Sequence, residues 1–116
     1  MNLQKVLGME RCNPVDSPFV ENATVEPGDL ELLSSADAAK FSTCVGIAQY
    51  LTFERCDILY AVKELGRCTR WPCVGNMVQL KRLVRYLSGT KGYCIVLKKT
   101  VGGARVLRIA CESNWA

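Results

Sequence analysis

One segment limits the fold more than any other: Lys81-Arg82-Leu83-Val84-Arg85-Tyr86-Leu87-Ser88-Gly89-Thr90, a basic amphipathic run that stops at a small-residue turn. At about 100° per residue, Met77, Leu80, Leu83, Val84 and Leu87 share one side of a helix, while Lys81, Arg82 and Arg85 share the other. Such a helix has one face for a core and one cationic face. Gly89 is placed to take the left-handed backbone just past the helix end, and basic side chains near that end complement the helix dipole.

The rest of the chain falls into place around this helix. Phe41, Cys44, Val45, Ala48 and Leu51 recur at helical spacing from about residue 36 to 52. A second periodic run starts at Asp57, a candidate N-cap, and continues through Ile58, Ala61, Val62, Leu65 and Cys68 until Trp71-Pro72 breaks it. The helix with the basic face extends from about residue 74 to 87. Upstream, Pro14, Pro18 and Pro27 and several acids mark an irregular lead, preceded by a short apolar piece at residues 3–9 that reads as the tail of a helix. Ser34 with Asp37 three residues on is a capping pattern at the start of the first long helix. Downstream the period changes. Tyr93-Cys94-Ile95-Val96-Leu97 is rich in β-formers, Gly102-Gly103 signals a turn, and residues 105–111 alternate in part, so a C-terminal β-hairpin is expected. A two-stranded hairpin is marginal alone and must pack on something. The expected fold is α+β: an acidic, proline-containing lead with a helix remnant (residues 1–36), three helices (37–90) and a hairpin (91–116).

Charge divides the chain. Residues 1–37 carry two basic and seven acidic side chains, net −5, whereas residues 38–116 carry thirteen basic and four acidic ones, net +9. The second part suits a polyanion. The plainer alternative is that these cations solvate the outer faces of helices. No apolar run approaches the roughly 18 residues that span a bilayer, and the first residues lack the pattern of a secretory signal. The expected setting is therefore intracellular, cytoplasmic or nuclear, with no membrane partner. Seven cysteines, scattered and without a C-x-x-C pair, read as reduced thiols and small core residues. With no histidine, a structural zinc site would need four of these thiolates.

No catalytic constellation is visible. The absence of histidine removes the usual general base, and Gly102-Gly103 lacks the Lys-Ser/Thr that would make a phosphate loop. What remains is Glu112-Ser113-Asn114-Trp115-Ala116, a carboxylate just after the second expected strand.

In order along the chain, the segments resemble the Pol polyprotein of copia-type long-terminal-repeat retrotransposons, in the region joining reverse transcriptase to ribonuclease H. Gly8-Met9-Glu10-Arg11-Cys12-Asn13-Pro14-Val15-Asp16-Ser17-Pro18 is similar to the family's F-G-M-x-x-C-x-P-V-x-T-P, and residues 41–51 resemble Y-R-x-x-V-G-x-x-x-Y-L. Arg55-Cys56-Asp57-Ile58 through Val62 looks like R-P-D-I-x-x-A-V, with Leu65-Gly66-Arg67 in the place of L-S-R. Residues 81–90 match K-R-x-x-R-Y-L-x-G-T closely, and residues 110–116 sit where the family has Y-S-D-A-D-W-A. Each motif is weak alone; together they span residues 5–116.

The departures bear on activity. The resemblance implies that Glu112 stands at the first ribonuclease H aspartate and Asn114 at the second aspartate of that motif. The later acids of that site and the polymerase's Tyr-x-Asp-Asp motif do not occur in this sequence, so the expectation is a truncated, non-catalytic fragment. No cofactor is expected; magnesium would belong to the intact parent enzyme. Cys56 replaces the family's Pro, Gly66 its Ser, and Asn76-Met77 its His-Trp. The implied partner is an RNA–DNA hybrid or other nucleic acid, met through Lys81, Arg82, Arg85 and Lys91. A different class is a helical module that docks the remaining Pol segments in trans. A metal-dependent nuclease centred on Glu112 is disfavoured, because one carboxylate cannot build a two-metal site.

Overall fold

The computed structural model describes residues 3–21 and 26–97. Four α-helices occur among them: α1 (Leu3–Val6), α2 (Ser35–Leu51), α3 (Leu59–Arg67) and α4 (Val74–Gly89), with 3-10 turns at Pro27–Leu30 and Cys56–Ile58. No helix among the described residues is long and apolar enough to cross a membrane.

The core forms where the apolar faces of the helices meet. Phe41, Cys44, Val45 and Ala48 of α2 pack with Ala61, Val62 and Leu65 of α3 and with Leu80, Leu83 and Val84 of α4, all nearly inaccessible to water. Leu3 of α1, Ile58 of the second 3-10 turn and Tyr86 of α4 complete the cluster. Removing apolar surface from water at about 25 cal/mol per Å² makes this cluster the main stabilising feature.

Helix starts follow local chemistry. The Asp37 N–H donates to Ser34 Oγ (3.2 Å) and the Ser34 hydroxyl donates to Asp37 Oδ2 (3.1 Å), which caps α2. At α4, Asn76 Oδ1 accepts from the Cys73 N–H (2.9 Å) and the Cys73 thiol (3.0 Å), so the residue that replaces the motif's histidine serves as a cap. The lead is tied in here by a single antiparallel bridge: Leu33 N–H donates to Pro72 O (3.0 Å) and Val74 N–H to Glu31 O (2.8 Å).

Four expectations need correction. The expected α+β class does not hold: the described residues contain four helices and no strand. Residues 93–97, the first half of the expected hairpin, make no ladder, and Tyr93, Ile95, Val96 and Leu97 are exposed. Their β-forming composition is a local preference, and a strand exists only when a partner accepts its hydrogen bonds. The second half of the hairpin lies outside the described residues. Asp57 does not cap α3, whose N-cap is Ile58 without a side-chain bond; Asp57 is held by Arg55 instead.

Gly89 is the last residue of α4 and the cap position is Thr90, so no left-handed residue ends this helix. Its role is space. A Cβ at Gly89 would lie 2.6 Å from Pro14 Cβ, a contact that neither backbone can absorb without shifting. In an open helix Gly→Ala stabilises by up to about 1 kcal/mol. Here Gly89→Ala is expected to destabilise by about 1 kcal/mol, because overpacking costs more than the propensity gain. Urea denaturation measures this, and Pro14→Gly in the same chain should recover part of the loss.

Candidate nucleic-acid interface

The basic side of α4 is not bare. The lead crosses it antiparallel to the helix, one polar contact to each turn. Gln79 Nε2 donates to Val20 O (3.2 Å) and Val20 N–H donates to Gln79 Oε1 (3.4 Å). One turn on, Arg82 Nη2 donates to Ser17 Oγ (2.8 Å); another turn on, Arg85 Nε donates to Asn13 O (2.7 Å). Pro14 then sits against Gly89. Val15 and Phe19 pack against the core, and the Phe19 ring meets Tyr60 of α3 edge-on at 5.8 Å.

The four cations read from the sequence therefore divide in two. Lys81 and Lys91 are exposed, Lys91 two residues past the end of α4. Arg82 and Arg85 are half-buried under the lead. Arg82 Nε is buried and has no hydrogen-bond partner, which leaves one donor of a charged group unsatisfied. Glu112 and Asn114 lie outside the described residues. Among the described residues, no cluster of three or more Cys, Asp or Glu is placed to hold a metal.

The sequence reading missed a second arrangement at the far end of α4. Arg55 presents the edge of its guanidinium to Asp57, Nε to Oδ1 at 2.9 Å and Nη2 to Oδ2 at 2.7 Å. Its Nη1 donates to Thr90 O (2.9 Å) and its Nη2 to Thr90 Oγ1 (2.7 Å). The Tyr86 hydroxyl donates to Asp57 Oδ2 (2.8 Å), and the Thr90 hydroxyl donates to Tyr86 O (2.8 Å). The guanidinium also lies 5.8 Å and 5.5 Å from the Tyr86 and Tyr93 ring centroids. The Arg55 hydrogen bonds hold the Asp57 carboxyl below its usual range, and Asp57 in turn raises Arg55. Burial, then the bond to Asp57, pushes the Tyr86 phenol up. Asp57 thus accepts three charge-assisted or phenolic donors and is a structural acceptor. The signal was in the sequence: Arg55, Asp57, Tyr86 and Thr90 all belong to the quoted motifs, and the fold joins the two motifs in one clamp.

Beside the clamp, a cavity of about 930 Å³ opens between the end of α2, α4 and residues 93–97, with Leu51, Phe53, Val84, Leu87, Ile95 and Leu97 among its walls.

Comparison with known proteins gives a consistent result. The chain is 39% identical over 111 residues to the retrovirus-related Pol polyprotein from transposon RE1 of Arabidopsis thaliana, covering 93% of this chain and 7% of that polyprotein. It is 38% identical over 80 residues to the corresponding polyprotein from transposon RE2, covering 69% of this chain and 5% of the relative. An uncharacterized mitochondrial protein of the same plant is 32% identical over 115 residues, which are 94% of this chain and 43% of that protein. The chain thus spans less than half the length of each of these relatives. No protein-family model and no solved structure matches it. With its motifs in order and these likenesses over most of its length, the chain belongs, as a segment, to the family of retrovirus-related Pol polyproteins of transposons.

Proposed function

We propose that this segment is the connection between reverse transcriptase and ribonuclease H of a copia-type Pol, that it performs no chemistry itself, and that α4 meets the phosphates of an RNA–DNA hybrid. The observation that carries the reading is the two-sidedness of α4. Leu80, Leu83 and Val84 are buried on one side, and Lys81, Arg82 and Arg85 stand on the other, the two arginines beneath the lead, with Lys91 just beyond. Contacts of this kind are electrostatic and indifferent to sequence. A hybrid titrated at several salt concentrations is expected to bind with a slope of log K against log salt of about −3, as three to four neutralised phosphates require. A slope near zero contradicts the proposal.

A second reading rests on the cavity beside the clamp, where Phe53 and Leu97 are largely exposed at its rim. Exposed apolar surface of this kind suits docking of other Pol segments. In sedimentation, self-association of the isolated chain supports that reading and a clean monomer counts against it.

A further inference from the structure

We infer that the lead, residues 13–20, is a displaceable strap that competes with nucleic-acid phosphates for Arg82 and Arg85; the inference rests on the phosphate-facing role proposed for α4. The strap occupies the positions a phosphate backbone would take. It supplies one oxygen to each arginine, Ser17 Oγ to Arg82 and the Asn13 carbonyl to Arg85. It also belongs to the acidic part of the chain, with Asp16 exposed between those two contacts and Glu21 at its end. The strap itself carries one acid, Asp16, and meets both arginines through neutral oxygens that a phosphate can replace with charged ones.

The fit is incomplete in a way that makes exchange favourable. Arg82 Nη2 has Ser17 Oγ, but Nε, on the same edge of the guanidinium, is buried with no partner. A hydroxyl offers this edge one acceptor, whereas a phosphate offers two oxygens at the spacing of Nε and Nη2. The Arg55–Asp57 pair in this same chain shows that edge fully used, with both donors on one anion. Arg85 likewise exchanges a neutral carbonyl for a charged oxygen. The Phe19 contact with Tyr60 and the paired bonds between Val20 and Gln79 hold the C-terminal end of the strap, so lifting starts at residues 13–17.

The experiment compares hybrid affinity for the natural chain, for Ser17→Ala with Gln79→Ala, and for Ser17→Asp, with helix content checked by circular dichroism. The double variant removes three strap bonds and is expected to bind about fivefold more tightly, as relieving a mostly closed state requires. Ser17→Asp gives the Arg82 edge a tethered carboxylate and should bind about fivefold more weakly. Binding by the double variant where the natural chain shows none also supports the strap. If the natural chain binds and folded variants bind equally well, the strap is overturned while the role of α4 stands. If neither the natural chain nor the double variant binds at low salt, both fall together.

Discussion

Replacing Arg55 with alanine is expected to lower stability by about 3 kcal/mol, because it removes four charge-assisted hydrogen bonds and leaves Asp57 without its counter-charge. The magnitude rests on the Arg55 side, where the side chain is 11% exposed and its two bonds to Thr90 are partly buried; the Asp57 side chain, 31% exposed, contributes the smaller share. A surface pair would contribute a few tenths as much. For a chain of this size the loss corresponds to a drop in Tm of more than about 10 °C. Arg55→Lys should recover little, since an ammonium cannot span both Asp57 oxygens and still reach Thr90. The pH dependence has a definite sign. The Asp57 carboxyl is held below its unfolded value by Arg55, so its contribution is fully present above about pH 4 and fades as pH falls through the folded-state value. Asp57→Asn should flatten that acid limb in denaturation measured between about pH 2 and 6.

The clamp also explains why the sequence disclosed some features and hid others. The buried face of α4 was legible because Leu80, Leu83 and Val84 repeat with the helix itself, and a period needs no partner to be seen. Asp57 was misread because an Asp before an apolar run looks the same whether it caps a helix or binds an arginine. What decides is Arg55, itself held by Thr90 35 residues on, with Tyr86 adding a third donor to the carboxylate. Gly89 was assigned to a helix end when its task is to admit Pro14, a contact between segments 75 positions apart. The hairpin was inferred from residues 93–97, the turn signal at Gly102-Gly103 and the partial alternation of residues 105–111; in the described part, residues 93–97, β-propensity without a bonding partner does not make a strand. Arg82 and Arg85 were placed correctly on the polar side of the wheel, but a wheel cannot show a strap lying across it. Gln79 raised no signal as a lone amide, yet it fixes the strap at Val20.

The second large effect concerns charge. Reversing Arg82 and Arg85 together, Arg82→Glu with Arg85→Glu, replaces two cations on the proposed phosphate-facing side by two anions, and should weaken hybrid binding about 100-fold at low salt. These arginines also hold the strap, so the exchange removes its bonds to Ser17 and Asn13 as well as the charge. Lys81→Glu with Lys91→Glu separates the two causes. Both lysines are exposed and neither makes a hydrogen bond or ion pair among the described residues, so that pair should leave stability unchanged and still weaken binding about tenfold. Filter binding of an RNA–DNA hybrid to the natural chain and to both charge-reversed pairs is the most direct test of α4 as a phosphate-facing helix. The expected result is low-salt affinity that falls about tenfold with the lysine pair and about 100-fold with the arginine pair. No affinity in either the natural chain or the Ser17→Ala, Gln79→Ala chain, or affinity that neither charge-reversed pair changes, contradicts it.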